Sequence, residues 1–229
     1  MKSMSISPQS KSIYYMTCAM AMHFFGYEFI RNSILSLFTS QQAGFHSNTN
    51  ESSNRNSTSI MTLAMACSSP FSMIVLYFAY GRMLNRYGPR KTLCLDILLS
   101  SFVFAMSSFY LHIIDFPIEN EKQTFREPTS ILPMMIFFLF MYQNSYVGLL
   151  QTQYWSFIGS LLSPAEGKVY FAPISGVSSI TSTIAAAMVS RIVVKVGLQG
   201  LLMGGALSLI ASAFLADKAY QISEEVRKF

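Results

Sequence analysis

Six apolar stretches, at roughly 13–38, 60–80, 92–114, 130–158, 169–190 and 197–216, constrain this chain more than any other feature. Each is long enough to cross a hydrocarbon core of about 30 Å at about 1.5 Å of rise per residue. Backbone groups in lipid find no water to bond, so runs of this length must be helical. Only 12% of the residues are charged, about half the usual share for a soluble domain. The pattern predicts an all-α membrane protein built as a six-transmembrane-helix bundle. Tails at 1–12 and 217–229 flank the bundle at 13–216.

The basic residues fall on alternate connections. One side receives Lys2, Lys11, Arg82, Arg86, Arg90, Lys91, Lys168, Lys218, Arg227 and Lys228, and the other receives Arg55, Lys122, Arg126, Arg191 and Lys195. That asymmetry follows the positive-inside rule and places both termini in the cytoplasm or its equivalent. It also accounts for the formal net charge of +5 without nucleic acid as a partner. The lipid bilayer is the expected partner instead.

Cys18, Cys67 and Cys94 lie in or beside apolar stretches with no metal-ligand spacing and read as space-filling residues. No metal, no cofactor and no catalytic residue is expected, since the chain has no nucleophile elbow, no phosphate loop and only scattered His23, His46 and His112. An enzyme is not predicted. The polar stretch 39–59 reads as a loop on the outer side, and Asn50 and Asn56 begin glycosylation sequons within it. A second outer connector is expected at 115–129.

Two places carry polar groups inside apolar runs. Glu28 and Arg31 are three residues apart in the first stretch, so they share a helix face and can pair. Ionisable groups in a membrane are costly and usually face a cavity or a bundle interior. A guanidinium there suits an anionic solute, because it binds carboxylate or phosphate bidentately. Gln151, Gln153 and the lone tryptophan, Trp155, close the fourth stretch. Glu28, Arg31, Gln151, Gln153 and Trp155 are therefore the candidate substrate-binding residues. Further along, Ser175, Ser179, Thr183 and Ala187 repeat every four positions, and Gly200 and Gly204 form a Gly-x-x-x-Gly pair. Both patterns predict close packing of helices.

Between the second and third stretches, Gly81, Asn85, Arg86, Gly88 and Arg90 stand in a short basic segment. It resembles the Gly-x-Leu-x-Asp-Arg-x-Gly-Arg-Arg loop of the major facilitator superfamily of secondary transporters. Met83, Asn85 and Pro89 depart from that pattern. The stretch from Leu150 to Phe157 and on through Gly167, Lys168 and Phe171 to Gly176 is similar to the branch containing the ATP:ADP antiporters, as is Tyr27 to Thr39. The resemblance implies secondary active transport, of an anionic metabolite such as a nucleotide. It implies that Gly81, Asn85, Arg86, Gly88 and Arg90 belong to a cytoplasmic gate. Family members have twelve helices in two halves, so six spans imply one half that works with a second six-helix half or another copy. The competing expectation is a non-transporting membrane assembly partner or an inactive truncated paralogue.

Overall fold

The computed structural model describes residues 8–40, 81–114 and 131–227, with isolated positions between 62 and 80. The expected outer loops at 39–59, with its sequons, and 115–129 lie almost wholly outside the described residues, as does most of the expected second span. Four long helices account for the described chain: α1 (Pro8–Thr39), α2 (Gly81–Ile113), α3 (Ile131–Leu161) and α4 (Pro164–Arg227). The all-α class stands.

The six-transmembrane-helix bundle does not. Three helices among the described residues, α2, α3 and α4, are long and apolar enough to cross a membrane. At 32 residues α1 has the length but not the apolarity, because Thr17, His23, Glu28, Arg31 and Asn32 interrupt it. The expected fifth and sixth spans belong to one 64-residue helix, α4. The reading of the chain as one half of a twelve-helix fold goes with the six-span count.

Local chemistry sets the helix boundaries. At the start of α4, Ser163 and Glu166 cap each other: the Glu166 carboxylate accepts from the Ser163 amide at 2.9 Å, and Ser163 Oγ accepts from the Glu166 amide at 3.4 Å. Pro164 then occupies a position whose amide would be unpaired anyway. The basic segment 81–91, expected as a tight loop, is helical except at one residue. Gly88 breaks α2 with φ 78° and ψ 169°, and Gly197 breaks α4 with φ 72° and ψ 178°. This region of backbone space is open essentially to glycine alone. Pro89 follows Gly88 and starts the next helical run, as proline does at a first helical position.

Contacts fix the directions of the helices. The second arm of α4, 198–227, lies at the centre with α1 and α2 antiparallel on either side. Lipid offers helices no hydrophobic drive to associate, so small residues and interhelical hydrogen bonds must hold them. Five serines do this work. Ser12, Ser208 and Ser212 join α1 to the second arm, through the carbonyls of Ala219, Met22 and Ala19. Ser101 and Ser108 donate from α2 to the carbonyls of Ala206 and Gln199. Each bond is 2.7 or 2.8 Å long and contributes on the order of 1 kcal/mol.

The two arms of α4 run in opposite directions. Glu28 and Phe29 of α1 meet Ser182 and Ala185 of the first arm, 164–196, while α3 packs its Trp155 on Phe171 of that arm and its Tyr154 against Ser212 of the second. The core is aliphatic and aromatic, with Met16, Met20, Ile30, Ile34, Leu93, Ile97, Phe104, Ile136 and Leu139 all fully enclosed. The face bearing Ser175, Ser179, Thr183 and Ala187 is exposed rather than packed, and Ser179 and Thr183 bond back to their own helix.

Candidate functional site

Glu28 is buried on α1, and its carboxylate joins two helices. Oε1 accepts from Ser182 Oγ of α4 at 2.6 Å, and Oε2 lies 3.9 Å from Arg31 Nη1 and 3.5 Å from Asn32 Nδ2. The expected pairing with Arg31 is present. Arg31, however, has 56% of its side chain exposed against 10% for Glu28, so only the acid faces inward. A carboxylate held away from water is costly without such partners.

One turn or so toward the start of α1, His23 is completely enclosed by rings. Phe24, Tyr146 and Tyr154 stand 5.3, 5.7 and 5.6 Å from it, centroid to centroid. Both imidazole nitrogens lack a hydrogen-bond partner, as do Tyr146 Oη and Gln143 Oε1 beside them. Tyr154 Oη donates to Ser212 Oγ at 2.8 Å, since that serine's own proton goes to the Ala19 carbonyl. Buried polar atoms are nearly always paired. Such atoms stand open here on the facing helices α1 and α3.

A second buried acid, Asp96, lies where α2 meets α3. Its Oδ2 accepts from Gln153 Nε2, and the same amide's Oε1 is buried without a partner. One turn on, Ser100 and Tyr142 share a 3.0 Å hydrogen bond. Asp96 recurs with Leu93, Ile97, Ser100 and Phe104 on the inward face of α2, and that period is the signal by which a lone acid in an apolar run could be found.

The expected site residues are only partly brought together. Gln153 faces inward, whereas Gln151, two positions away and therefore about 200° around the helix, is exposed. Gln151 lines an open groove with Gly148, Thr152, Trp155 and Ser156. Trp155 is half-buried with its ring 5.5 Å from Phe171, edge to face. Neither joins the Glu28 cluster: Gln151 faces outward and Trp155 packs on Phe171.

The expected gate residues occupy one end of the bundle. Arg90 donates to Asp217 at 2.7 Å and to Glu224 at 3.0 Å, both on the second arm of α4. Asn85 and Arg86 are exposed, and Arg86 lies over the Tyr87 ring at 5.4 Å. Nothing approaches the Cβ position of Gly81 or of Gly88, so Gly88 serves the backbone conformation and not a close contact. Asp217 is level with Ser12, which bonds Ala219. Sixteen residues of α1 then separate this end from Glu28, roughly 24 Å along the axis.

Among the described residues no group of three His, Cys, Asp or Glu side chains could hold a metal ion. Compared with models of known families, with curated proteins and with solved structures, the chain matches none.

Proposed function

We propose that this chain acts in membrane transport, carrying a small polar solute past the buried groups of α1, α2 and α3. The observation that carries the reading is Glu28, an acid enclosed between two helices in a protein otherwise fit for lipid. Intramembrane ionisable groups are functional sites by default. The open hydrogen-bonding atoms of His23, Gln143 and Tyr146 support the same reading, and so does the likeness of the 81–91 segment to a secondary transporter's gate. An anionic metabolite such as a nucleotide is the finer proposal and depends on Arg31, the one cation paired with Glu28 among the described residues.

Orientation follows from charge. Contacts such as Gln9 with the Leu161 carbonyl and Arg90 with Asp217 gather Lys11, Lys91, Lys168 and Lys218 at one end of the bundle. By the positive-inside rule that end is the cytoplasmic one.

Reconstituted protein in vesicles tests the function, with labelled nucleotides, other organic anions and neutral polar solutes offered in turn. Uptake is expected to fall at least about tenfold in Glu28→Gln, a change of about 1.4 kcal/mol in barrier. A nucleotide substrate requires a similar loss in Arg31→Ala. No uptake of any solute, or uptake indifferent to Glu28→Gln, would overturn the proposal.

A second reading, a membrane assembly partner without transport, draws on the exposed polar face of Gln151, Thr152, Ser156, Ser175, Ser179 and Thr183. Polar side chains facing lipid call for a cover. Disulfide cross-linking between copies carrying Ser179→Cys would support that reading, and an uncross-linked monomer in vesicles would oppose it.

A further inference from the structure

We propose that Asp96 is a proton-binding site, holding its proton in a two-bond ring with the Gln153 amide. The assignment stands apart from the transport reading, since it rests on the chemistry of this pair alone.

The argument starts from an imbalance. Asp96 is 8% exposed and Gln153 is 4% exposed. They share one hydrogen bond, from Gln153 Nε2 to Asp96 Oδ2. An ionised carboxylate only accepts, and so does the amide oxygen. Gln153 Oε1 is therefore stranded, buried and unpartnered, next to a group that cannot donate to it. Leaving a buried acceptor unsatisfied is costly, and an isolated carboxylate in a low-dielectric setting costs more. A single proton on Asp96 Oδ1 removes both penalties. The acid O–H donates to Gln153 Oε1 while the Gln153 N–H continues to donate to Oδ2. The two flat groups then exchange two hydrogen bonds, and no charge remains.

The surroundings supply no cation to hold Asp96 ionised. Among the described residues its carboxylate forms no ion pair; the three present are Arg31 with Glu28, and Arg90 with Asp217 and with Glu224. Arg90, on the same helix, is committed to the second arm of α4. Tyr80 and, from α3, Tyr142 stand near enough to feel a charge on Asp96, and both are neutral. From the second arm of α4 the neighbouring acid, Asp217, is already paired with Arg90 and offers no positive charge.

Infrared spectroscopy of the full chain in lipid vesicles tests the site, with aspartate carbon-13 labelled. The chain has three aspartates, Asp96, Asp115 and Asp217, so the label is nearly specific. At neutral pH a carboxylic-acid carbonyl band is expected that shifts with the label and with deuterium exchange. It should be lost in Asp96→Asn, a variant expected to fold because an asparagine amide makes the same two bonds to Gln153. In Gln153→Leu the band should move to the higher frequency of a free acid. That second variant reads the site even if Asp96→Asn fails to fold. A spectrum with only ionised aspartate at neutral pH would overturn the proposal. So would an acid band that persists in Asp96→Asn, or one that Gln153→Leu leaves in place.

Discussion

Gly26 of α1 and Gly205 of α4 face each other so closely that a Cβ on either would sit 2.9 Å from the carbonyl oxygen of the other. Neither backbone can retreat without parting the helices, because Ser208 bonds the Met22 carbonyl one turn away. Gly205→Ala is expected to destabilise the fold by about 1–3 kcal/mol, the usual cost of overpacking. Gly204→Ala is the control, since its added methyl would lie 3.6 Å from the Phe29 ring, an ordinary contact. Thermal unfolding in detergent micelles compares the two, and equal midpoints would refute the close approach.

Gly88 and Gly197 make the same demand on the backbone at opposite ends of the bundle. Alanine at either position is expected to cost about 1–3 kcal/mol, although nothing crowds the Cβ of Gly88. Unfolding of Gly88→Ala should show this loss while Gly81→Ala, a glycine equally free of neighbours, leaves stability unchanged.

Arg90 and Asp217 are each about a third exposed, so their pairing should contribute only about 0–1 kcal/mol. A double-mutant cycle on Arg90→Ala and Asp217→Asn is expected to give a coupling in that range. A larger functional effect than stability effect would support a gate role for Arg90. Equal effects would leave the pair as a fastening.

Much of the helical layout was legible in the residues. The apolar stretch 130–158 anticipates α3 within a few positions, and the three-residue spacing of Glu28 and Arg31 anticipates their 3.9 Å approach. The tight contact was not. Gly200 and Gly204 offered a familiar spacing on one helix, but the residues that touch are Gly26 and Gly205, and spacing along one helix says nothing of a distant partner. Adding a Cβ at Gly200 brings it against Val196 of its own chain turn. Gln151 and Gln153 look alike in sequence and part company only through the helical period. Asp96 was hidden by its apolar neighbours, whose hydrophobicity obscured the one acid among them. The six-span count does not hold among the described residues, where three helices are long and apolar enough to cross a membrane. The polar groups that interrupt α1 weigh against it, and the stretches expected as spans five and six are two arms of one helix broken at Gly197.

The chain directions predict which engineered cysteines are labelled together. With Cys18, Cys67 and Cys94 replaced by serine, cysteines at positions 85 and 168 should react from one face of a sealed vesicle, and cysteines at 131 and 195 from the other. Labelling of positions 85 and 195 from the same face would contradict the antiparallel arrangement of the two arms of α4.

The seam between α2 and the second arm of α4 is fastened differently at its two ends. Arg90 with Asp217 and Glu224 closes one end by charge. Ser108 with the Gln199 carbonyl, and the Gln199 amide with the Leu111 carbonyl, close the other without charge. Mobile ions screen the first and leave the second untouched, with a screening length near 8 Å at physiological ionic strength and about 3 Å at 1 M. Salt therefore loosens this seam from one end only, so for the contact between α2 and the second arm of α4 ionic strength is a lever that acts at Arg90 and spares Gln199.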